Sequence, residues 1–518
     1  MPPLRSHFDR SWPPLALGLV WVALLGAILA LNGGTFTYTL DDAYIHLAFS
    51  EQLAQGHFGL VPNVPASPSS SILYPLLLMP LTGTALHQFQ PLAWNLAALF
   101  VSFLLWRHLL GRLVLGGTHA ALAGIMALLA LALLNEIGLA FSGMEAGLQI
   151  ACSLAVAIGL IELAAGNRLR WWLPAAIVLG PLLRYESLTL SLPALTLLVL
   201  WGRWRLAVLC GAIVAAALLG YGLYCQSIGL PAVPGSLLAK TGFDQAGDWA
   251  DELWNLAKYL GYGLLHGRAD LPVLLLVGLL LFDLTRRRAT RERGLIVLAL
   301  IALLTQFALG GHGSLGRYDA HAWACGLAVA VYIHRGIGRQ LTGRIGASWV
   351  AIGWAALLVG LFPYAVHAGL GTPLAANNIY QQQYQMRRLL VDFTKGKALV
   401  NDAGLTAYRN PYGIVDIMGL GSENIRRLRR DGPWTAETVQ ALGKTATLAA
   451  VYDSWLPVPP SWQALAILRL DGRRVSVAGS DVTIYALRPD DVPELTAALQ
   501  RFAPSLPRGA RLIWLPAP

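Results

Sequence analysis

Asp41 and Asp42 stand side by side in TFTYTLDDAYIHLAFSEQLAQG, at the head of a segment whose helical face would carry Tyr44, Leu47 and Ala48. A single aspartate there reads as a helix cap, its oxygen taking a free N–H of the first turn. Two in succession, directly after an apolar run, favour chemistry, because carboxylates at a membrane rim are expensive to keep. Such a group can take the proton of an attacking hydroxyl. Glu136, beside Asn135, and Glu145, in FSGMEAGLQI, are the next acids; Glu186 follows Arg184 and Tyr185 between two apolar runs. Lys240 in VPGSLLAKTG and Arg317 in GHGSLGRYDAHA, next to Asp319, supply positive charge. Each has an ordinary reading too: an acid at a helix start, an arginine snorkelling to headgroups, a solvated lysine. Read together, they offer a base for a hydroxyl and cations for a phosphate that gains charge as it leaves. His312 and His321 add side chains able to ligate metal, at a spacing that selects no ion, so a divalent metal stays open.

The elements that must position these residues are membrane helices. The chain has 518 residues, 56% hydrophobic and 13% charged, with a mean hydropathy of +0.55. A soluble domain carries about 25% charged residues. Apolar runs of about twenty residues, the length that spans a bilayer, recur through the first 370 positions. That excludes an all-soluble enzyme, a disordered chain and a fibre. The net charge of +10 comes from 38 Lys and Arg against 28 Asp and Glu. The arginines lie in short clusters between apolar runs, as orientation by the positive-inside rule produces, so nucleic acid is not an expected partner. Cys152, Cys210, Cys225 and Cys325 all fall within apolar runs, without CxxC or Cys/His spacing.

Eleven spans are expected: Trp12–Leu31, Pro91–Leu110, His119–Ile137, Glu145–Ala165, Trp171–Leu183, Ser187–Trp201, Leu206–Ser227, Leu271–Leu284, Gly294–Leu309, Tyr318–His334 and Ser348–Val366. With the N-terminus in the cytoplasm, every arginine cluster from Arg107 to Arg344 faces inward, whereas Lys240, Lys258, Lys395, Lys397 and Lys444 face outward. The short, proline-flanked SILYPLLLMPL reads as an interfacial or re-entrant helix; counting it as a span would invert every later cluster. From about Tyr384 charges return, and β-type runs such as KALVND and ATLAAVYDS alternate with helical ones such as TAETVQALG. The expected organisation is a polytopic α-helical membrane module over residues 1–370 and an extracytoplasmic α/β domain over 371–518.

The segment DDAYIHLAFSEQLAQG after the first span resembles the first-loop Asp-Asp signature of GT-C glycosyltransferases. SGMEAGL, LLRYES, IGLPAVPGSLLAKTG and NDAGLTAYRN…IVDIMGL follow in an order similar to that of the arabinofuranosyltransferase B-like branch. The resemblance implies a GT-C module in which Asp41 or Asp42 is the base, Glu145 a second-loop acid and Lys240 a phosphate contact. The expected site therefore comprises Asp41, Asp42 and Glu145 as catalytic residues. Tyr44, His46, Arg184, Glu186, Lys240 and Arg317 are expected to bind substrate.

The expected activity is transfer of a sugar, arabinofuranose if the branch holds, from a polyprenyl-phosphate donor to an extracytoplasmic glycan, lipid or protein, with inversion. The expected place is a bacterial cytoplasmic membrane, with site and C-terminal domain facing the periplasm or exterior. The competing reading is a transporter or flippase of a lipid-linked sugar, which would favour inverted repeats and charges near the midplane. A purely structural membrane protein would leave the clustered carboxylates unexplained.

Overall fold

The protein is described by a computed structural model covering residues 4–117, 119–234, 270–286, 288–309, 317–336 and 345–516. Helices occupy the places the apolar runs mark. They are α1 (Leu4–Leu31), α2 (Asp42–Ala54), α3 (Gln90–His108), α4 (Ala120–Leu133), α5 (Ala146–Gly166), α6 (Trp172–Leu183), α7 (Leu188–Leu200), α8 (Trp204–Ser227), α9 (Asp270–Leu284), α10 (Thr290–Leu309), α11 (Ala320–Ile333) and α12 (Ile345–Gln381). Among the described residues, five helices are long and apolar enough to cross a membrane, or six if the pair 120–133 and 136–142, bent by 62°, is one span. α6, α7, α9 and α11 are shorter. At 1.5 Å per residue, the 12 and 13 residues of α6 and α7 rise only about 18–20 Å against a hydrocarbon core of about 30 Å. The chain is a multi-pass helical membrane protein with a C-terminal sheet region.

α5 is the hub. Its sequence, AGLQIACSLAVAIGLIELAAG, is apolar on every side, and most of it is buried, against α3, α6 and α11. Gly159 lets α6 approach: a Cβ there would meet Leu173 at 2.9 Å. α1, by contrast, leaves most of its apolar surface exposed, as a lipid-facing helix does. The SILYPLLLMPL segment forms only a five-residue helix, Leu73–Leu77, and a 3-10 turn, Met79–Leu81, too short to cross.

Past residue 370, where the two parts were expected to join, α12 continues unbroken to Gln381, and the first strand begins at Ala398. Six strands, β1 (Ala398–Val400), β2 (Ile414–Asp416), β3 (Leu448–Val451), β4 (Gln463–Leu470), β5 (Asp481–Ala486) and β6 (Ala510–Trp514), form one sheet in the order β2-β1-β3-β5-β4-β6. β1 pairs in parallel with β2 and β3; the remaining pairings are antiparallel. β1 and β3 are buried throughout, which the continuous apolar run of a covered strand anticipates. One face of the sheet shares a core with α2 and the loop before it, including Tyr38, Tyr44, Tyr408 and Tyr452. The sheet region is therefore seated directly on the Asp41–Asp42 segment.

Candidate active site

Glu145 precedes α5 and is fully buried. The turn holding it is fixed from three sides. The Tyr74 hydroxyl donates to the Gly143 carbonyl (2.8 Å), Asn95 Nδ2 to the Met144 carbonyl (2.8 Å), and the Thr39 N–H to the Phe141 carbonyl (3.0 Å). Gly143 takes φ +68°, and a Cβ there would lie 2.6 Å from the Tyr38 ring, so both backbone and space call for glycine. Arg184 comes from the break between α6 and α7, where its extended backbone (φ −154°, ψ 134°) ends α6. The Ser187 hydroxyl ties that break to α5 through Gln149 Nε2, 3.1 Å away. Arg184 then lies with one terminal nitrogen 2.7 Å from Glu186 and the other 3.3 Å from Glu145. His46 Nε2 closes the opposite side of Glu145 at 3.4 Å, while His46 Nδ1 meets Ser69 Oγ at 3.2 Å. The Ser69 hydroxyl donates to the Ser71 carbonyl (2.8 Å), so the His46–Ser69 bond is satisfied by an N–H on Nδ1.

A second group adjoins the first. Arg317 Nη1 donates to Asp42 Oδ2 at 2.8 Å, and Arg317 Nη2 donates to the Tyr318 hydroxyl. Both guanidinium groups lie over the Tyr318 ring, Arg317 at 4.5 Å and Arg184 at 5.4 Å from its centroid. Asp42 keeps 42% of its side chain exposed, whereas Arg317 keeps 4%. Of this linked set of acids and arginines, Asp42 is the carboxylate most open to an incoming group. Glu145 is sealed and Glu186 is about one-fifth exposed.

Asp41 faces the other way. It stands at the N-cap of α2, yet its side chain caps nothing there. Its two oxygens accept the N–H groups of Gly404 (2.8 Å) and Leu405 (2.9 Å) from the C-terminal region. Burial under that region, and then the neighbouring Asp402, push the Asp41 carboxyl up to about 8, against the pull of the two N–H donors. Asp402 is held by Gln383 Nε2 (2.8 Å) and the Tyr452 hydroxyl (3.1 Å), and burial raises it too. The folded protein therefore keeps the Asp41 proton between its ordinary 3.8 and about 8, where the unfolded chain has lost it. Stability contributed by this group falls as pH rises through that window. The thermal midpoint of the purified protein should show this decline, and Asp41→Asn should flatten it. A Cβ at Gly404 would overlap the Asp41 carbonyl oxygen and come within 2.6 Å of its Cγ. Gly404→Ala should thus separate the sheet region from α2, seen as faster proteolysis in the 398–416 segment; unchanged protection would disprove the contact's role.

The sequence-derived candidates divide accordingly. Asp42, His46, Glu145, Arg184, Glu186 and Arg317 come together, with Arg317 paired to Asp42. Tyr44 turns away, its hydroxyl accepting the Tyr38 N–H (3.2 Å) and its ring packing on Tyr38 and Tyr408. Glu136 separates from Glu145: it is buried beside Trp106, whose indole N–H points at it from 3.4 Å. Lys240 and His312 lie outside the described residues. Ser69, in the PASPSSS stretch, and Asp402 are additions from the structure. The first was signalled by a polar run inside an apolar protein, the second by its place in NDAGLTAYRN. Among the described residues, no three His, Cys, Asp or Glu side chains are grouped to hold a metal ion.

Some buried polar atoms here make no hydrogen bond among the described residues: Arg317 Nε, and both Glu145 oxygens, which face Arg184 and His46 as ion pairs at 3.3 and 3.4 Å. Each such group ordinarily costs about 1–3 kcal/mol. Their concentration around Arg184 is what a site built for a polar ligand presents.

Solved structures share this fold. The chain is similar to the crystal structure of ArnT from Cupriavidus metallidurans bound to undecaprenyl phosphate, with 15% identity and a TM-score of 0.52 over 91% of this chain and 98% of that one. The apo form of the same protein gives 16% identity and 0.51, over 92% and 99%. The apo oligosaccharyltransferase of Archaeoglobus fulgidus gives 12% and 0.45, over 95% and 78%. At these identities the ArnT likeness is one of fold. Residues 377–485 match a family described as a domain of unknown function (DUF8728). The sequence has no match among curated proteins.

Proposed function

We propose that the protein is a membrane glycosyltransferase that moves a sugar from a polyprenyl-phosphate donor to an acceptor hydroxyl outside the cytoplasmic membrane. The observation that carries the reading is the Asp42–Arg317 pair, a reachable carboxylate braced by a buried arginine, set in a GT-C fold beside Arg184 and Glu145. The ArnT structure with undecaprenyl phosphate supports the donor class. Arabinofuranose as the sugar rests on the sequence resemblance alone. The eleven-span topology, the outward-facing C-terminal region, and the bacterial cytoplasmic membrane belong to the same proposal, supported by the sidedness of the arginine clusters.

In this reading Asp42 is the base. Its carboxylate accepts the acceptor's hydroxyl proton as the acceptor oxygen bonds to the anomeric carbon. The bond from that carbon to the phosphate oxygen breaks, and its electron pair leaves with polyprenyl phosphate. Attack opposite the leaving phosphate inverts the anomeric centre. Arg317 holds Asp42 in place and supplies positive charge as the phosphate departs; Lys240 is proposed as a further phosphate contact. Glu145 is not exposed to act on an acceptor, so its proposed part is to position Arg184 and His46. Asp41 fastens the sheet region over the site.

A donor-bound structure tests the arrangement. A phosphate oxygen within about 2.7–2.9 Å of Arg317, Arg184 or Lys240, with the anomeric carbon on the Asp42 side, is expected. A phosphate remote from all three cations would refute the account of leaving-group stabilisation.

A further inference from the structure

Beyond residue 370 the densest basic run is RRLRR, Arg426 to Arg430, and the transfer reaction makes no use of it. It lies well past the last membrane helix, whereas basic residues orient a span from within about 15–20 residues of its end. The run forms most of a short helix, α13 (Glu423–Asp431), whose Ser422 cap accepts the Ile425 N–H. Glu423, Ile425 and Arg426 are buried on one side, and Arg427, Leu428 and Arg430 face outward. Four arginines against Glu423 and Asp431 leave the helix with an excess of two positive charges, 4 − 2. Glu423 is shared between Arg426 and Arg427, both at 2.7 Å, while Asp431 pairs with Arg430 at 2.6 Å. Arg429 turns back to the Ile417 carbonyl (3.2 Å), and Asp416 behind it is buried. Arg427 keeps 53% of its side chain exposed, and ion pairs so open to water hold their partners only weakly.

The position of α13 gives this charge a partner. Arg427 Nη2 donates to the carbonyl of Gly229 at 3.4 Å, two residues past the end of α8. α8 is among the helices long and apolar enough to cross a membrane, and Leu219, Leu223 and Tyr224 near its end are exposed. The end of a spanning helix lies at headgroup level, whichever side it faces, and Tyr221 and Tyr224 belong to the residue type enriched there. A second contact fixes the same placement. The Phe58 ring packs on Tyr224 (5.3 Å) and Tyr221 (6.3 Å), and Leu60 lies under Gly421, where a Cβ would meet it at 3.0 Å.

We infer that α13 is a binding surface for anionic phospholipid headgroups, with Arg427 and Arg430 meeting the phosphates and Leu428 facing the acyl boundary. The surface continues the lipid-facing side of α8, so its neighbour is the bilayer itself. An exposed leucine between arginines suits that boundary, as in helices that lie along a membrane surface. A soluble acidic glycan would answer to the charge but not to the leucine. Lipid bound here would hold the C-terminal region to the membrane at a point away from the Asp41–Gly404 contact.

The test is hydrogen exchange of the 423–431 backbone in the full-length protein, in nanodiscs of phosphatidylcholine with and without phosphatidylglycerol. It needs neither sugar donor nor acceptor, so its outcome is independent of the transfer reaction. Phosphatidylglycerol should slow exchange by about fivefold or more in the wild type, the scale of one arginine at an anionic surface. The slowing should vanish in the double variant Arg427→Gln/Arg430→Gln and persist in Arg427→Lys/Arg430→Lys, which keeps the charge. Equal exchange of the wild type in the two lipids overturns the inference, and so does a slowing that survives in the Gln double variant. Should that variant not fold, salt decides: slowing lost in the wild type at 1 M salt, where the screening length is about 3 Å, supports the headgroup contact. Slowing that persists there overturns it. Slowing by a soluble uronic-acid oligosaccharide, without any by phosphatidylglycerol, would make the surface one for glycans and overturn the lipid assignment.

Discussion

Asp42→Asn is expected to lower turnover by about 10²-fold or more, the lower scale of general-base contributions, while leaving donor binding and fold intact. The substitution keeps the size of the side chain and one oxygen able to accept from Arg317 Nη1, so the pair survives geometrically. What disappears is the basic oxygen that would take the acceptor proton. Asp41→Asn gives the contrasting result. One of its two bonds to the Gly404 and Leu405 N–H groups is lost, because an amide has a single acceptor oxygen. Its effect should fall on the sheet region's docking and on the pH dependence of stability, with a smaller change in the chemical step. Steady-state rates with saturating donor separate the two. Near-wild-type turnover in Asp42→Asn would remove it as the base, and a larger loss in Asp41→Asn would exchange the assignments.

Arg184→Ala is expected to be the most destabilising single change in the site. Arg184 and Glu145 are both buried, and among the described residues His46 is the charge partner on the other side of Glu145. Removing one member of a buried charge pair strands the other, at a cost of about 3–5 kcal/mol. Glu145→Gln in the same chain should restore much of the lost stability, since it removes the stranded charge, but should not restore activity. The melting midpoints of the two single variants and the double variant form the cycle that measures this coupling. Additive midpoints would mean that Glu145 and Arg184 do not depend on each other.

The cluster of charges that forms the candidate site could be read from the sequence where chemistry and membrane cost coincide. Asp42, Glu145, Arg184, Glu186 and Arg317 are charges at the ends of apolar runs, and no lipid-facing position tolerates such residues without partners. The partnerships were not legible. In sequence Arg317 stands beside Asp319, but it reaches Asp42 across 275 positions, a distance that no helical periodicity encodes. Asp41 and Asp42 look equivalent in sequence because they are adjacent. The fold sends one toward Gly404 and the other toward Arg317, and only the docking of the sheet region makes that difference. The helix positions were clear, since apolar length reports them directly. The abrupt end of α6 at Arg184 was marked by the charged tripeptide, but its tie to α5 through Gln149 and Ser187 was not.

The central claim is that a sugar leaves its lipid phosphate here, and product stoichiometry tests it most directly. The purified protein in proteoliposomes is given a panel of polyprenyl-phosphate sugars with candidate acceptors on the outer side, and free polyprenyl phosphate and glycosylated acceptor are measured together. The account predicts that at least one donor yields the two products in equal amounts, with Asp42→Asn yielding both about 10²-fold or more slower. Intact donor crossing the bilayer, with no polyprenyl phosphate released from any member of the panel, would contradict transfer and make the protein a carrier of lipid-linked sugar.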